Sequence, residues 1–227
     1  MTPRDDADED DAELLSQLLR RAQVEGALGA APITEVIAHA RGFVAALPDS
    51  VGTVLDVGTG AGVPGLVIAL DRPAVRVTLV DRRAKRIDAL QRAITALGWG
   101  ERVTAVAADA EMLADDPHWQ GKADAVVARG FGPPATTLRV AARLTRQGGW
   151  VVISEPPADQ PSRWEPDLLA SCGVSHPERL GAVARFTWNV VLPSTAPSPC
   201  STWNGGGLMS RAVVLVMSTP PCTRGVR

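Results

Sequence analysis

The sequence predicts an α/β domain: a mostly parallel, doubly wound, Rossmann-like sheet preceded by N-terminal helices. Three observations carry this expectation. From residue 51 onward, apolar runs of strand length alternate with helix-like segments. Those runs are apolar nearly throughout, as in strands covered on both faces of a parallel sheet. The first of them also runs directly into a glycine-rich turn that a helix-like segment follows.

The elements follow in order. Residues 1–50 read as a helical lead. Leu14, Leu15, Leu18 and Leu19 fall at i, i+1, i+4 and i+5, which makes one apolar stripe. The acidic run before them (Asp5, Asp6, Asp8, Glu9, Asp10, Asp11 and Glu13) suits a helix N-terminus electrostatically and is expected to be a frayed, solvated end. A second helix is expected over 33–47, with Thr34 as its N-cap and Pro48 closing it. Strands are expected at 51–57, 75–80, 103–107, 123–128 and 150–153, with helices at 63–70, 83–97, 110–113 and 135–144. Gly148-Gly149 marks a turn into the fifth strand.

Beyond Ser175 the alternation fails. Residues 189–227 are rich in Pro, Ser, Thr and Gly and contain no acid; within them only 212–217 has strand character. The chain therefore divides into the lead 1–50, a Rossmann-like domain 51–187 and an atypical tail 188–227. The tail is expected to be poorly ordered, either as a lineage-specific extension or as a frameshifted reading.

Composition excludes several classes. With 45% hydrophobic residues and a net charge of -2 over 227 residues, global disorder is not expected. No run approaches the roughly 18 apolar residues of a membrane span, so no membrane partner is expected. The chain opens on acids rather than on a basic segment followed by an apolar one, so no secretory signal is expected. Cys172, Cys200 and Cys222 are far apart and form no CxxC pair, so neither a metal site nor a disulfide framework is expected. A cytoplasmic monomer is the resulting expectation. There is no tyrosine, and Lys85 and Lys122 are the only lysines, which reads as the codon usage of a GC-rich genome.

The strongest chemical signal is Val54-Leu55-Asp56-Val57-Gly58-Thr59-Gly60-Ala61-Gly62. Glycines bring backbone N–H groups close to a ligand, at the carboxyl end of the first strand where open α/β sheets bind ligands. Two ligands compete. A dinucleotide loop counted from Gly58 fails at Val63, and counted from Gly60 it matches Gly60-x-Gly62-x-x-Gly65 but starts late. A GxGxG loop after an acid-bearing strand better suits S-adenosylmethionine, which has no pyrophosphate to cradle. Asp56 is then placed to hold the donor's amino group through water or the loop.

The later strands support that reading. Asp81 ends the second strand about 20 residues after the loop, the spacing at which a carboxylate receives ribose hydroxyls; the competing role is capping of the helix near Arg83. Ala108-Asp109-Ala110-Glu111 follows the third strand, where an adenine would lie, and Asp109 also suits a cap. The fourth strand delivers Arg129-Gly130-Phe131. Arg129 points either into the crevice or to a local acid, and Phe131 either stacks on a base or packs in the core. The fold expected is that of a class I S-adenosylmethionine-dependent methyltransferase.

Gly58-Thr59-Gly60-Ala61-Gly62-Val63-Pro64-Gly65, Asp81 with Lys85-Arg86, Ala110-Glu111, and Ala128-Arg129-Gly130-Phe131 together resemble the glucose-inhibited division protein B family. These are bacterial 16S rRNA (guanine-N7)-methyltransferases (methyltransferase G type). The resemblance implies donor binding at Gly58, Val63, Ala110, Glu111 and Arg129, alongside Gly60 and Asp81 from the motif reading. It also implies 16S rRNA, or the small ribosomal subunit, as partner. No catalytic base is expected, since guanine N7 needs no deprotonation and alignment suffices; His39, His118 and His176 are scattered. The chain lacks the family's Asn-Leu-Thr segment and basic ending, leaving Arg82, Arg83, Lys85, Arg86 and Arg92 as its basic cluster. The competing functions are a decayed donor-binding paralogue, a small-molecule methyltransferase, and a nicotinamide oxidoreductase using the Gly60 register.

Overall fold

A computed structural model describes residues 3–189, with side chains from residue 9 onward. In chain order the elements are α1 (Pro3–Val24), α2 (Ile33–Ala46), β1 (Thr53–Val57), α3 (Gly65–Asp71), β2 (Arg76–Asp81), α4 (Ala84–Ala96) and β3 (Val103–Ala107). They continue as α5 (Ala110–Asp115), β4 (Ala123–Ala128), α6 (Pro134–Leu144), β5 (Thr145–Ser154), α7 (Pro166–Cys172), β6 (Glu178–Leu180) and β7 (Val183–Thr187).

The strands form one sheet in the order β3-β2-β1-β4-β5-β7-β6. The first five are parallel, while β7 runs antiparallel to both β5 and β6. Successive strand residues face opposite sides, and both sides are covered. Val54, Val77, Leu79, Val127 and Val152 join Leu15, Leu19, Val36 and Phe43 of the N-terminal helices in one core. Leu55, Val57, Val126, Ala128 and Val151 join α6, α7 and Phe186 in the other. This two-sided burial is why the strands read as unbroken apolar runs. The order reverses between β1 and β4, which opens a crevice at their carboxyl ends.

Several expectations are corrected. The acidic run is not a frayed end: α1 begins at Pro3, so the run forms its first turns, and the Trp99 indole donates to Asp11 at 3.0 Å. Thr34 is not the N-cap of α2. Pro32 occupies that position without a side-chain cap, because the helix already includes Ile33 and the amides of Glu35 and Val36 reach the Pro32 carbonyl. Gly148-Gly149 forms an irregularity within β5 rather than a turn before it, since Thr145 opposes Ala123 while Trp150 already opposes Ala125.

α7, β6 and β7 were not expected. Nor does the chain leave the fold at residue 188. The Trp188 amide donates to the Gly149 carbonyl at 2.9 Å and the Asn189 amide to that of Gly173 at 3.0 Å. The expectations for the rest of the tail, including 212–217, lie outside the described residues. Among the described residues, no helix is long and apolar enough to cross a membrane.

Candidate functional site

The site begins with the turn between β1 and α3. Asp56 lies one residue before the end of β1 and is 1% exposed. Its Oδ2 accepts from the Thr59 hydroxyl at 2.6 Å and from the Gly65 amide at 2.9 Å. One carboxylate oxygen therefore clasps the two ends of the glycine loop. The other, Oδ1, is buried without a hydrogen-bond partner. Burial pushes the Asp56 carboxyl up to about 7, against the opposing pull of the Thr59 and Gly65 hydrogen bonds and the Arg129 charge. Asp56 thus serves the loop from below. Gly65 must lack a side chain, because a Cβ there would sit 2.3 Å from Leu79 and 2.8 Å from Asp56 Oδ2.

Asp81 ties the same loop to α4. Its Oδ2 accepts from the Gly60 amide and from Arg86 Nη1, both at 3.1 Å. Its Oδ1 accepts from the Arg83 amide at 2.9 Å. The N-cap position itself belongs to Arg83. Asp109, after β3, is the N-cap of α5 and accepts from the Glu111 amide at 2.9 Å. Asp109→Ala is expected to lower stability by about 1 kcal/mol, measured as a shift in urea midpoint at unchanged m-value.

A cleft of about 390 Å³ opens above these strand ends, lined by Gly58, Asp81, Ala110 and Glu111, with Gly130 and Phe131 on its far side. Phe131 both lines the cleft and packs against the core. Gly58 adopts φ +67°, and a Cβ there would meet Phe131 Cδ2 at 2.7 Å. The other predicted residues lie elsewhere. Gly60 reaches the cleft only through its amide bond to Asp81. Val63 is 3% exposed and packs in the core under the loop.

Arg129 lines a second cavity, of about 520 Å³, with Glu35, His39, Ser154 and Glu155; Gly130 borders both cavities. Arg129 is half-buried. Among the described residues it forms no ion pair, so the salt bridge weighed from the sequence is not made. Burial lowers its pKa, and the Asp56 charge opposes that. His39, set aside as scattered, faces the same cavity. Its ring lies 5.7 Å from that of Phe43 and its buried Nδ1 has no partner. Burial, and then the Arg129 charge, pull its pKa down, which keeps the imidazole neutral at neutral pH. Ser154 and Glu155, also missed, follow the strand-end rule that located Asp81 and Arg129. Applied to β5, that rule finds them.

Residues 37–158 match the family described as GidB, rRNA small subunit methyltransferase G. The chain belongs to this family. Its matched segment runs from α2 past the end of β5 and includes every predicted site residue and His39. Among relatives, ribosomal RNA small subunit methyltransferase G of Rhizorhabdus wittichii is 36% identical over 137 residues, covering 57% of this chain and 60% of that protein. The Myxococcus xanthus protein of the same name is 35% identical over 153 residues, covering 64% and 69%. The Desulfitobacterium hafniense relative is 38% identical over 100 residues, so that the chain spans 41% of its length. Among solved structures, the S-adenosylmethionine-dependent methyltransferase SibL aligns with a TM-score of 0.51 at 22% identity, covering 65% of this chain and 54% of SibL. Geranyl diphosphate methyltransferase in complex with SAM aligns with a TM-score of 0.51 at 20% identity, covering 66% and 69%. These two structures share the fold: the chain is a class I, Rossmann-like α/β domain.

Proposed function

We propose that this chain is an S-adenosylmethionine-dependent methyltransferase that modifies N7 of a guanine in 16S rRNA, acting in the cytoplasm as a monomer. The observation that carries the reading is the convergence of Gly58, Asp81, Ala110 and Glu111 on one cleft at the carboxyl ends of adjacent parallel strands. The residues fit the donor. A cleft of about 390 Å³ falls within the usual range for a small-molecule site. Asp81 offers a carboxylate to a neutral diol, Gly58 leaves the backbone open, and Ala110 and Glu111 flank the adenine end. Gly60 and Val63 serve through the loop they build, and Arg129 lines the second cavity beside Gly130, which borders both.

When bound, S-adenosylmethionine supplies a methyl group on a positively charged sulfonium, already an activated leaving group. Guanine N7 carries an exposed lone pair, so no side chain has to remove a proton before attack. The protein's task is to hold donor and base in line and to exclude water. The second cavity supports an acceptor side. Arginine is a favoured partner of guanine's major-groove edge, and pairing with O6 alone leaves N7 free. A neutral His39 beside Arg129 adds a polar group without adding repulsion.

The test is incubation with labelled donor and small ribosomal subunits that lack the modification, followed by mapping of the labelled nucleotide. One guanine is expected to carry the label at N7. Asp81→Asn is expected to weaken donor binding by roughly tenfold or more, the worth of hydrogen bonds to a charged group, read by titration calorimetry. Donor binding without transfer would replace this reading with that of a decayed donor-binding paralogue. No donor binding at all would remove both.

A further inference from the structure

Three acceptor positions of Asp81 are already in use: Oδ2 takes the Gly60 amide and Arg86, and Oδ1 takes the Arg83 amide. A carboxylate offers about four lone-pair directions in all. A ribose diol brings two hydroxyls, so both cannot dock on Asp81 while all three present partners stay. Gly60 and Arg83 donate from backbone that the loop and α4 hold in place. Arg86 donates from a long, flexible side chain, and its ion pair with Asp81 is the partner able to leave. Its own side chain is 26% exposed, while that of Asp81 is 6% exposed.

The surroundings give a released Arg86 a destination. Most arginines among the described residues are held by an acid: Arg41 by Asp71, Arg72 by Asp49, Arg143 by Asp115 and Arg146 by Asp124, for example. Arg82, Arg83 and Lys85 are exposed and form no ion pair among the described residues. Arg82 and Arg83 line the mouth of the cleft, together with Arg86. This group of cations complements a phosphate backbone.

We propose that Arg86 is exchanged between Asp81 and an RNA phosphate, so that donor and RNA bind cooperatively. The proposal rests on the methyltransferase reading above. With the donor absent, Arg86 neutralises Asp81. With the donor in place, the ribose takes its position on Asp81, and Arg86 joins Arg82, Arg83 and Lys85 as a fourth phosphate contact. By linkage, RNA that holds Arg86 away from Asp81 favours the donor by the same factor.

S-adenosylhomocysteine, which cannot transfer a methyl group, separates binding from reaction. The measurement is fluorescence anisotropy of a labelled 16S rRNA fragment against salt concentration, with and without S-adenosylhomocysteine. For the wild type, S-adenosylhomocysteine is expected to tighten RNA binding about fivefold or more. It is also expected to steepen the salt dependence by about 0.7 in log–log slope, the worth of one single-stranded phosphate contact. In Arg86→Ala both effects disappear, while S-adenosylhomocysteine itself binds about two- to fivefold more tightly, because a partly exposed ion pair no longer competes. Lys85→Gln serves as the control: RNA binding weakens but the coupling remains. No effect of S-adenosylhomocysteine on wild-type RNA binding, or an undiminished effect in Arg86→Ala, overturns the proposal. Coupling without methyl transfer to ribosomal subunits upholds it and overturns the assigned reaction instead.

Discussion

Gly58→Ala is expected to reduce S-adenosylmethionine affinity on the order of a hundredfold while the protein stays folded. Two separate costs meet at this position. The backbone sits at φ +67°, where an L side chain loses about 1–2 kcal/mol. The new Cβ also falls 2.7 Å from Phe131 Cδ2, well inside van der Waals contact. Relief requires Phe131 to shift, and Phe131 lines the same cleft, so the strain is discharged into the ligand's space. Most of the fold is untouched, because Gly58 lies in the loop at the rim of the sheet. The expected outcome is cooperative urea unfolding, lowered by about the 1–2 kcal/mol of backbone strain, together with donor binding too weak for calorimetry at micromolar protein. Affinity within threefold of wild type would show that the donor does not pass close to Gly58.

Asp56 is expected to make stability fall as pH rises from about 4 to about 7. Burial holds its carboxyl near 7 in the folded chain, whereas in the unfolded chain it titrates near its ordinary value of about 3.9. Between those values the native state keeps a proton that the unfolded state has released. Stability contributed by that proton is fully present below the unfolded pKa and is lost as pH rises through the folded one. The slope approaches 1.4 kcal/mol per pH unit at most, and the loss levels off above about 7. The unpartnered Oδ1 supplies the structural reason, since an ionised carboxylate would bury a charged oxygen with nothing to stabilise it. Asp56→Asn keeps an oxygen for Thr59 and Gly65 but cannot ionise. The difference in unfolding free energy between wild type and Asp56→Asn, followed from pH 5 to pH 8, isolates the effect. It is expected to move against the wild type by a few kcal/mol. A difference that stays flat would place Asp56 in the ordinary carboxylate range.

The five parallel strands were legible because burial on both faces writes each one as a short apolar run, and the observed bounds differ from the expected ones mainly at the ends. The antiparallel pair β6 and β7 was not. Three to five residues are too few for an alternating pattern to stand out, and β7 owes its place to contacts far off in sequence, such as Arg185 donating to the Ala46 carbonyl at 3.0 Å. The seven-residue α7 likewise gains its place from Leu169 and Cys172 against the core beside Phe186, and not from a helical period long enough to read. The same division runs through the site. Gly58 and Asp81 stand at the ends of β1 and β2, and Ala110 and Glu111 open the helix after β3; strand ends and helix starts are local features of the chain. His39 and Arg129 come from α2 and the end of β4, and only packing brings them to one cavity.

From the chain alone came the fold class, the order of the central elements and four residues that line the glycine-loop cleft, Gly58, Asp81, Ala110 and Glu111. Each of these follows from patterns spanning a few turns or one strand, where the physics is that of periodicity, capping and positive φ. Folding decided the protonation of Asp56, the engagement of Asp81 by Arg86 and the placing of His39 and Arg129 on one cavity. Those depend on burial and on distances between groups remote along the chain. A carboxylate's charge and a guanidinium's partner are therefore properties of the packed molecule and not of the residues taken one by one.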